Sequence, residues 1–219
     1  MVLLDLPFSG RLLVLVAVLG VAAGLDRWRY GPAARRGPEY LALAACGALG
    51  AAFGLAADQV TSRLSPAYFV WGKGLDEGPG FARAVVELSL QAGLVAGLVL
   101  GGVLLLGNQP GPGRPALALP TLVGLARWPV LLAAGLAPPC AAALGAWDPL
   151  GLVADFDGLG LTPLERAWVA RVWGAHVGIY LGAVAGTVVA CLAVRARRRS
   201  PLGPAAPADL ASPAPGAAG

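Results

Sequence analysis

The sequence is short of charged residues. Only 13% of its 219 residues are charged, against about 25% in a typical soluble domain. By contrast 57% are hydrophobic, and the mean hydropathy is +0.71. A surface with so few charges cannot all face water, which excludes a soluble globular domain.

Several signatures of chemistry are also missing. There is no phosphate-binding loop, zinc-protease motif, hydrolase elbow, Cys-x-x-Cys pair or dinucleotide fingerprint. His176 is the single histidine, which argues against a multi-histidine metal or haem site. Cys46, Cys140 and Cys191 lie in three different apolar runs without metal-ligand spacing, so we interpret them as packing residues. We therefore expect no metal, no cofactor and no nucleic-acid partner.

Long apolar runs dominate what remains. Each is long enough, or nearly so, for a helix of about 20 residues to cross a bilayer. The sequence predicts an all-α transmembrane bundle in residues 1–199 with five spans, at about 7–25, 40–57, 84–107, 119–146 and 167–194. Residues 200–219 are rich in Pro, Ala and Gly and are predicted to form a disordered tail.

The first run has a second interpretation, as a cleaved signal peptide. Its end, "VLGVAAG", has the small residues of a cleavage site. Only one positive charge, Arg11, precedes the run, and the segment after it is rich in arginine. These flanks favour a retained span.

The arginines predict an orientation. Four lie in the loop at 26–39 and four at 195–199, whereas the loop at 147–166 holds Asp148, Asp155, Asp157 and Glu165 against Arg166 alone. The positive-inside rule then gives five spans with the N-terminus outside and the C-terminus inside. The Arg-rich, Ala-rich and Gly-rich composition is typical of bacteria with GC-rich genomes, so we expect a multi-pass protein of the bacterial inner membrane.

Glycines recur at every fourth position in two spans, which predicts smooth helix faces for close packing. Gly93, Gly97 and Gly101 lie in span three, and Gly174, Gly178, Gly182 and Gly186 lie in span five. We expect spans three and five to contact each other along these faces. In span four, Pro138 and Pro139 each remove a backbone donor, which predicts a kink or break in its outer half.

Ionisable and amide side chains within or near the spans are the candidates for function, because they are costly in a bilayer. The predicted orientation gathers them near the outer leaflet: Asp58, Gln59, Arg83, Glu87, Gln91, Arg171, His176 and Tyr180. Structural interpretations stay open for several. Arg83 and Glu87 have the spacing of an ordinary i,i+4 pair, Arg171 can extend to the interface or pair with Glu87, and a lone buried histidine is more often a hydrogen-bonded core residue.

The stretch "ADQVTSRLSPAYFVWGKG" separates spans two and three. Asp58 and Gln59 are predicted to mark the end of span two, and Thr61 follows them. Ser65 and Pro66 have the pattern of a helix N-cap and first turn. We expect a short helix on the outer surface, with Tyr68, Phe69 and Trp71 at the membrane interface.

This stretch resembles a segment of uncharacterised bacterial multi-span membrane proteins, whose pattern is approximately Asp-Gln-Val/Ile-Thr, a short spacer and Ser-Pro-Glu-Tyr-Phe. In the last span "HVGIYLGAVAG" is similar to the same family's His-x-x-x-Tyr-Leu-Gly. The chain departs from the pattern at Ala67, where the family has Glu. The resemblance implies a multi-span fold and no particular activity.

Three functions are compatible with these features. The first is non-enzymatic binding of a small molecule, a lipid or another membrane protein through the outer polar cluster. The second is a small-molecule or ion transporter, which would need polar residues in the inner half of the bundle as well. The third is a membrane-embedded enzyme using Asp58, Glu87 and His176, which would have to reach one substrate position.

Overall fold

The computed structural model describes residues 7–111, 114–147, 154 and 158–199. Its α-helices are α1 (Phe8–Tyr30), α2 (Arg36–Leu64), α3 (Pro66–Lys73), α4 (Phe81–Gly107), α5 (Leu119–Leu125), α6 (Arg127–Ala146) and α7 (Pro163–Arg199), with a 3-10 turn at Gly31–Ala33. None of these residues forms a strand beyond an isolated bridge between Gly111 and Arg114. The predicted tail at 200–219 and the loop acids Asp148, Asp155 and Asp157 lie outside the described residues.

The predicted multi-span helical fold is confirmed. Five helical segments are long and apolar enough to cross a membrane: Phe8–Ala33, Arg36–Leu64, Phe81–Gly107, Leu119–Ala146 and Pro163–Arg199. The helices run past the apolar stretches, because backbone hydrogen bonding continues until a residue stops it. Asp58 therefore lies inside α2 instead of at its end, and α2 stops at Leu64, just before Ser65 and Pro66.

The bundle is built from two closely packed helix pairs, α2 with α4 and α6 with α7. A Cβ added at Gly97 would lie 2.9 Å from atoms of Cys46 and Gly47 in α2. A Cβ added at Gly182 would lie 2.5 Å from backbone atoms of Ala133 in α6. The predicted contact of spans three and five along these glycine faces is therefore wrong, because each face meets a neighbouring helix in the chain. The same holds for the other glycines of the two faces, which meet α2 at Gly93 and Gly101 and α6 at Gly174, Gly178 and Gly186.

The fourth span has no break at Pro138 and Pro139 and is interrupted elsewhere. Helix α6 runs through Pro138 and Pro139 without a break, and the interruption lies at Ala126, between α5 and α6. Pro129 has no N–H to donate to the carbonyl of Leu125 four residues earlier, so regular α-helix cannot continue across this point. The amide of Ala126 instead donates to Val123 at 3.0 Å in a tighter turn.

Helix α3 closes the bundle at the end where α2 stops. The Ser65 hydroxyl accepts a hydrogen bond from the Tyr68 amide at 3.3 Å, which confirms the predicted N-cap with Pro66 in the first turn. The helix ends at Gly74, whose left-handed φ of 69° suits a residue without a side chain. A small apolar cluster containing Phe69 then joins α3 to α4 and α7.

At the opposite end, side chains tie the helix ends together. The Arg198 guanidinium, near the end of α7, donates to the carbonyl oxygens of Gly107, Gln109, Arg114 and Pro115, at 2.7 to 3.2 Å. An apolar cluster that includes Leu104, Leu122, Leu125 and Val194 fills the space between α4, α5 and α7. Two buried polar side chains also lie at this end: Glu39 contacts Arg35 and Arg36, and Asn108 bonds to the backbone of Leu117.

Candidate functional site

Asp58 is the centre of a hydrogen-bonded cluster that joins three helices. Its Oδ1 lies 3.0 Å from Nε2 of His176 on α7, and its Oδ2 accepts a hydrogen bond from the Ser89 hydroxyl on α4 at 2.9 Å. The other ring nitrogen of His176, Nδ1, lies 2.9 Å from the carbonyl oxygen of Val172. Only 7% of the His176 side chain and 14% of the Asp58 side chain are exposed. The cluster thus links the α2/α4 pair to the α6/α7 pair.

The geometry limits the protonation of Asp58 and His176. A backbone carbonyl only accepts hydrogen bonds, so Nδ1 must carry a proton to bond to Val172. One further proton must then lie between Nε2 and Oδ1, either on the imidazole of His176 or on the carboxyl group of Asp58. Both arrangements have no net charge, since the first is an imidazolium–carboxylate pair and the second has both groups neutral. Both ring nitrogens are already engaged, which is the core-histidine interpretation that the sequence left open.

Aromatic rings of α3 and α7 cover His176. The centroid of the Tyr68 ring lies 4.8 Å from the imidazole, and those of Phe69 and Tyr180 lie 6.1 and 6.4 Å from it. Tyr68 and Phe69 are buried, so the prediction that they lie at the membrane interface is wrong, while Trp71 is exposed. The reason is that α3 folds over the end of α7, so its inner face meets protein instead of lipid headgroups.

A cavity of about 160 Å³ extends from this cluster between the two helix pairs. Along α2 it reaches from Asp58 to Cys46, and its walls are mainly apolar side chains and the glycines and alanines of all four helices. Exposed residues such as Leu49 and Tyr180 also line it, so it opens on the side of the bundle. Its polar lining is at one end: Asp58, Lys73, Ser89, His176 and Tyr180.

Lys73 brings a positive charge to that end. Its Nζ lies 5.5 Å from the centroid of the Tyr68 ring. Burial opposes the charge, but the side chains of Tyr68 and Tyr180 beside it outweigh burial and hold the pKa of Lys73 above its ordinary value. Lys73 therefore keeps its charge at neutral pH. Burial also raises the pKa of Tyr68, so its phenol stays protonated.

The structure brings together only part of the predicted outer cluster. Arg83 and Glu87 form an exposed i,i+4 pair with a 2.7 Å contact, which confirms their structural interpretation. Arg171 lies over the Trp168 ring, with 4.8 Å between its guanidinium carbon and the ring centroid, and does not pair with Glu87. The described residues that line the cavity do not include Arg83, Glu87, Arg171, Gln59 or Gln91.

Thr61, from the predicted interfacial loop, is buried, and its hydroxyl donates to the Ala57 carbonyl at 3.0 Å within α2. No group of three or more His, Cys, Asp or Glu side chains comes together among residues 7–111, 114–147, 154 and 158–199.

Two residues of the site were missed in the sequence. Ser89 lies four residues before Gly93, so it shares the glycine face of α4, and this spacing was the signal that could have placed it against α2. Lys73 is the single lysine in a chain that otherwise uses arginine. Its place at the end of a short helix gave no signal of a role in the site.

Comparison with known proteins adds no relative. No protein-family model, curated protein sequence or solved structure matches this chain.

Proposed function

We propose that this multi-span protein binds a membrane-resident molecule in the cavity between its two helix pairs, with the Asp58 cluster at the polar end of the site. The observation that carries the proposal is the side-opening cavity, which is apolar along most of its length and polar at one end. Pockets that bind small molecules have this character, a mainly apolar wall with a few convergent polar groups. A lateral opening between spans admits a molecule directly from the lipid.

The surrounding helices support a role in binding. We propose that the glycine faces hold each pair together, because association of helices in lipid depends on close backbone approach. The two pairs meet each other less closely and are joined at one end by the contact of Asp58 with His176. This arrangement leaves space between rigid pairs.

Transport and catalysis find less support among the described residues. A transport path would have to pass the apolar cluster of Leu104, Leu122, Leu125 and Val194 at the other end of the bundle. Catalysis by Asp58, Glu87 and His176 would need all three at one position, but Glu87 is exposed and paired with Arg83. Binding needs neither a through path nor a third carboxylate.

We further propose that the protein lies in the bacterial inner membrane, with its N-terminus outside and its C-terminus inside. The arginines at 27–36 and 195–199 support this orientation through the positive-inside rule. It would put Asp58, His176 and α3 towards the outer leaflet. The ligand would then enter from the outer half of the bilayer.

Native mass spectrometry of the protein released gently from its own membrane tests the proposal. Ala183 on α7 lines the cavity, whereas Ala185, on the same helix, is exposed and is not among the lining residues described. We expect a reproducible extra mass on the native chain that is lost in Ala183→Leu and kept in Ala185→Leu. A bare native chain, or an extra mass kept equally in both variants, would contradict binding in this cavity.

A further inference from the structure

We propose that the ligand is an anionic amphiphile, with a single aliphatic chain along the cavity and a carboxylate or phosphate headgroup at Lys73. This inference rests on the proposed function of the cavity and adds the chemical class of its occupant.

The first argument is the charge of the polar end. Asp58 and His176 together contribute no net charge, because their contact holds one shared proton between a carboxyl group and an imidazole already protonated at Nδ1. Ser89 and Tyr180 are neutral, and Lys73 contributes one positive charge. The structure records no carboxylate within ion-pair distance of Lys73 among the described residues. The polar end is therefore positive by one charge, which favours an anion over a cation or a zwitterion.

Neither Arg83 nor Arg171 adds a charge to the lining of the cavity. Arg83 is paired with Glu87, and Arg171 lies over Trp168, outside the cavity lining. The hydroxyl group of Tyr180, beside Lys73, can donate a hydrogen bond to a bound oxygen. An ammonium and a phenol at one position form a suitable site for a single anionic group.

The second argument is the shape of the cavity. Its lining on α2 runs from Cys46 to Asp58, and twelve residues of helix correspond to about 18 Å. This is roughly half the thickness of a bilayer's hydrocarbon core. A volume of about 160 Å³ distributed over such a length leaves a narrow channel. That channel excludes a bulky ring system or a pair of chains, and a single aliphatic chain would enter it in part, with the remainder in the lateral opening towards the lipid.

The headgroup should decide which amphiphile binds. Lipid tails are as apolar as the cavity wall, so moving a chain from the bilayer into the cavity gives little hydrophobic gain. The ammonium of Lys73, by contrast, is half-buried at the polar end and would gain a charge-assisted hydrogen bond. Selectivity among amphiphiles with the same chain should therefore follow headgroup charge.

A series of amphiphiles with one chain length tests this directly. The purified protein in neutral detergent is offered oleate, oleyl alcohol or oleylamine, and occupancy is read by native mass spectrometry. We expect the native chain to bind oleate about tenfold or more tightly than oleyl alcohol, with oleylamine weakest. Lys73→Gln should remove the preference for oleate, whereas Lys73→Arg, which keeps the charge, should retain most of it. A matched variant, Arg83→Gln, removes a positive charge outside the cavity and should leave the preference unchanged.

The outcomes separate this inference from the proposed function. Binding of oleyl alcohol by Lys73→Gln at the native level shows that the cavity is intact in the variant. Equal binding of oleate and oleyl alcohol by the native chain, or a preference for oleate that survives Lys73→Gln, would overturn the anionic headgroup while leaving a binding cavity. If none of the three amphiphiles binds, the inference that the ligand is an amphiphile is refuted. The proposed binding cavity is then still tested by the extra mass on the protein released from its native membrane and by its loss in Ala183→Leu. Oleyl phosphate in place of oleate then distinguishes a phosphate from a carboxylate.

Discussion

The contact between Asp58 and His176 should tolerate loss of the carboxylate charge but not loss of its hydrogen bonds. In Asp58→Asn the amide nitrogen can donate to Nε2 of a neutral His176, and the amide oxygen can accept from the Ser89 hydroxyl. The bond from Nδ1 to the Val172 carbonyl needs no change. Every polar contact of the cluster is then kept, provided that the pair shares one proton as its geometry requires.

The expected magnitudes follow from the groups left without a partner. Asp58→Asn should lower the free energy of unfolding by less than about 1 kcal/mol, since no buried group loses its partner. Asp58→Leu leaves Nε2 of His176 without a hydrogen-bond partner in a buried site, which should lower the free energy of unfolding by about 1–3 kcal/mol. Ser89 keeps its hydrogen bond to the Val85 carbonyl. For a chain of this size 1 kcal/mol corresponds to about 2–4 °C in Tm. Asp58→Leu should therefore lower Tm by roughly 2–12 °C, and Asp58→Asn by about 4 °C at most.

Thermal unfolding in detergent, followed by light scattering and tryptophan fluorescence, measures both variants. His176→Leu, alone and combined with Asp58→Leu, completes a double-mutant cycle with an expected coupling of about 1–3 kcal/mol. If Asp58→Asn proves as damaging as Asp58→Leu, the cluster needs the carboxylate of an imidazolium–carboxylate pair, and the prediction that hydrogen bonds alone preserve it is refuted. If the two Leu substitutions add without coupling, the contact itself contributes nothing.

Three further predictions concern the framework around the site, each measured as Tm in the same detergent. Gly97→Ala should lower Tm by several degrees because its Cβ meets the α2 backbone, whereas Gly102→Ala, with open space around it, should leave Tm unchanged or raise it; equal effects would refute the helix pairing. Ser65→Ala should cost about 1 kcal/mol by removing the α3 N-cap, with Ser65→Asp retaining it, and an unaffected Tm would contradict the cap. Arg198→Gln should lower Tm more than Arg197→Gln, because among the described residues at 107–111 and 114–115 the carbonyls are bonded by Arg198 and not by Arg197; equal shifts would show that these bonds do not stabilise the fold.

Local features of the structure were accessible from the sequence. The five spans follow from apolar length, and the α3 N-cap follows from Ser65 and Pro66, because both depend on residues adjacent in the chain. Asp58 and His176 stood out as polar residues in an apolar chain. Their contact spans 118 residues and involves three helices once Ser89 is included, so no local pattern could predict it.

Two wrong predictions show where local reasoning stops. The four-residue spacing of glycines shows that a smooth face exists, but any neighbouring helix can fill it, and here α2 and α6 do so. The amphipathic rings of Tyr68 and Phe69 suit an interface or a protein core equally well. Their burial was decided by the direction in which α3 leaves α2.

The amino-acid sequence was enough to determine that this chain forms membrane-length helices, where most of them lie, and which polar residues they contain. These properties arise from hydrophobicity, backbone hydrogen bonding and capping, all of which act over a few neighbouring residues. Only the tertiary structure decided that Asp58, Ser89, Lys73 and His176 meet at one end of a cavity. The partners of a helix face depend on steric fit among all the helices, and that fit involves residues far apart in the chain.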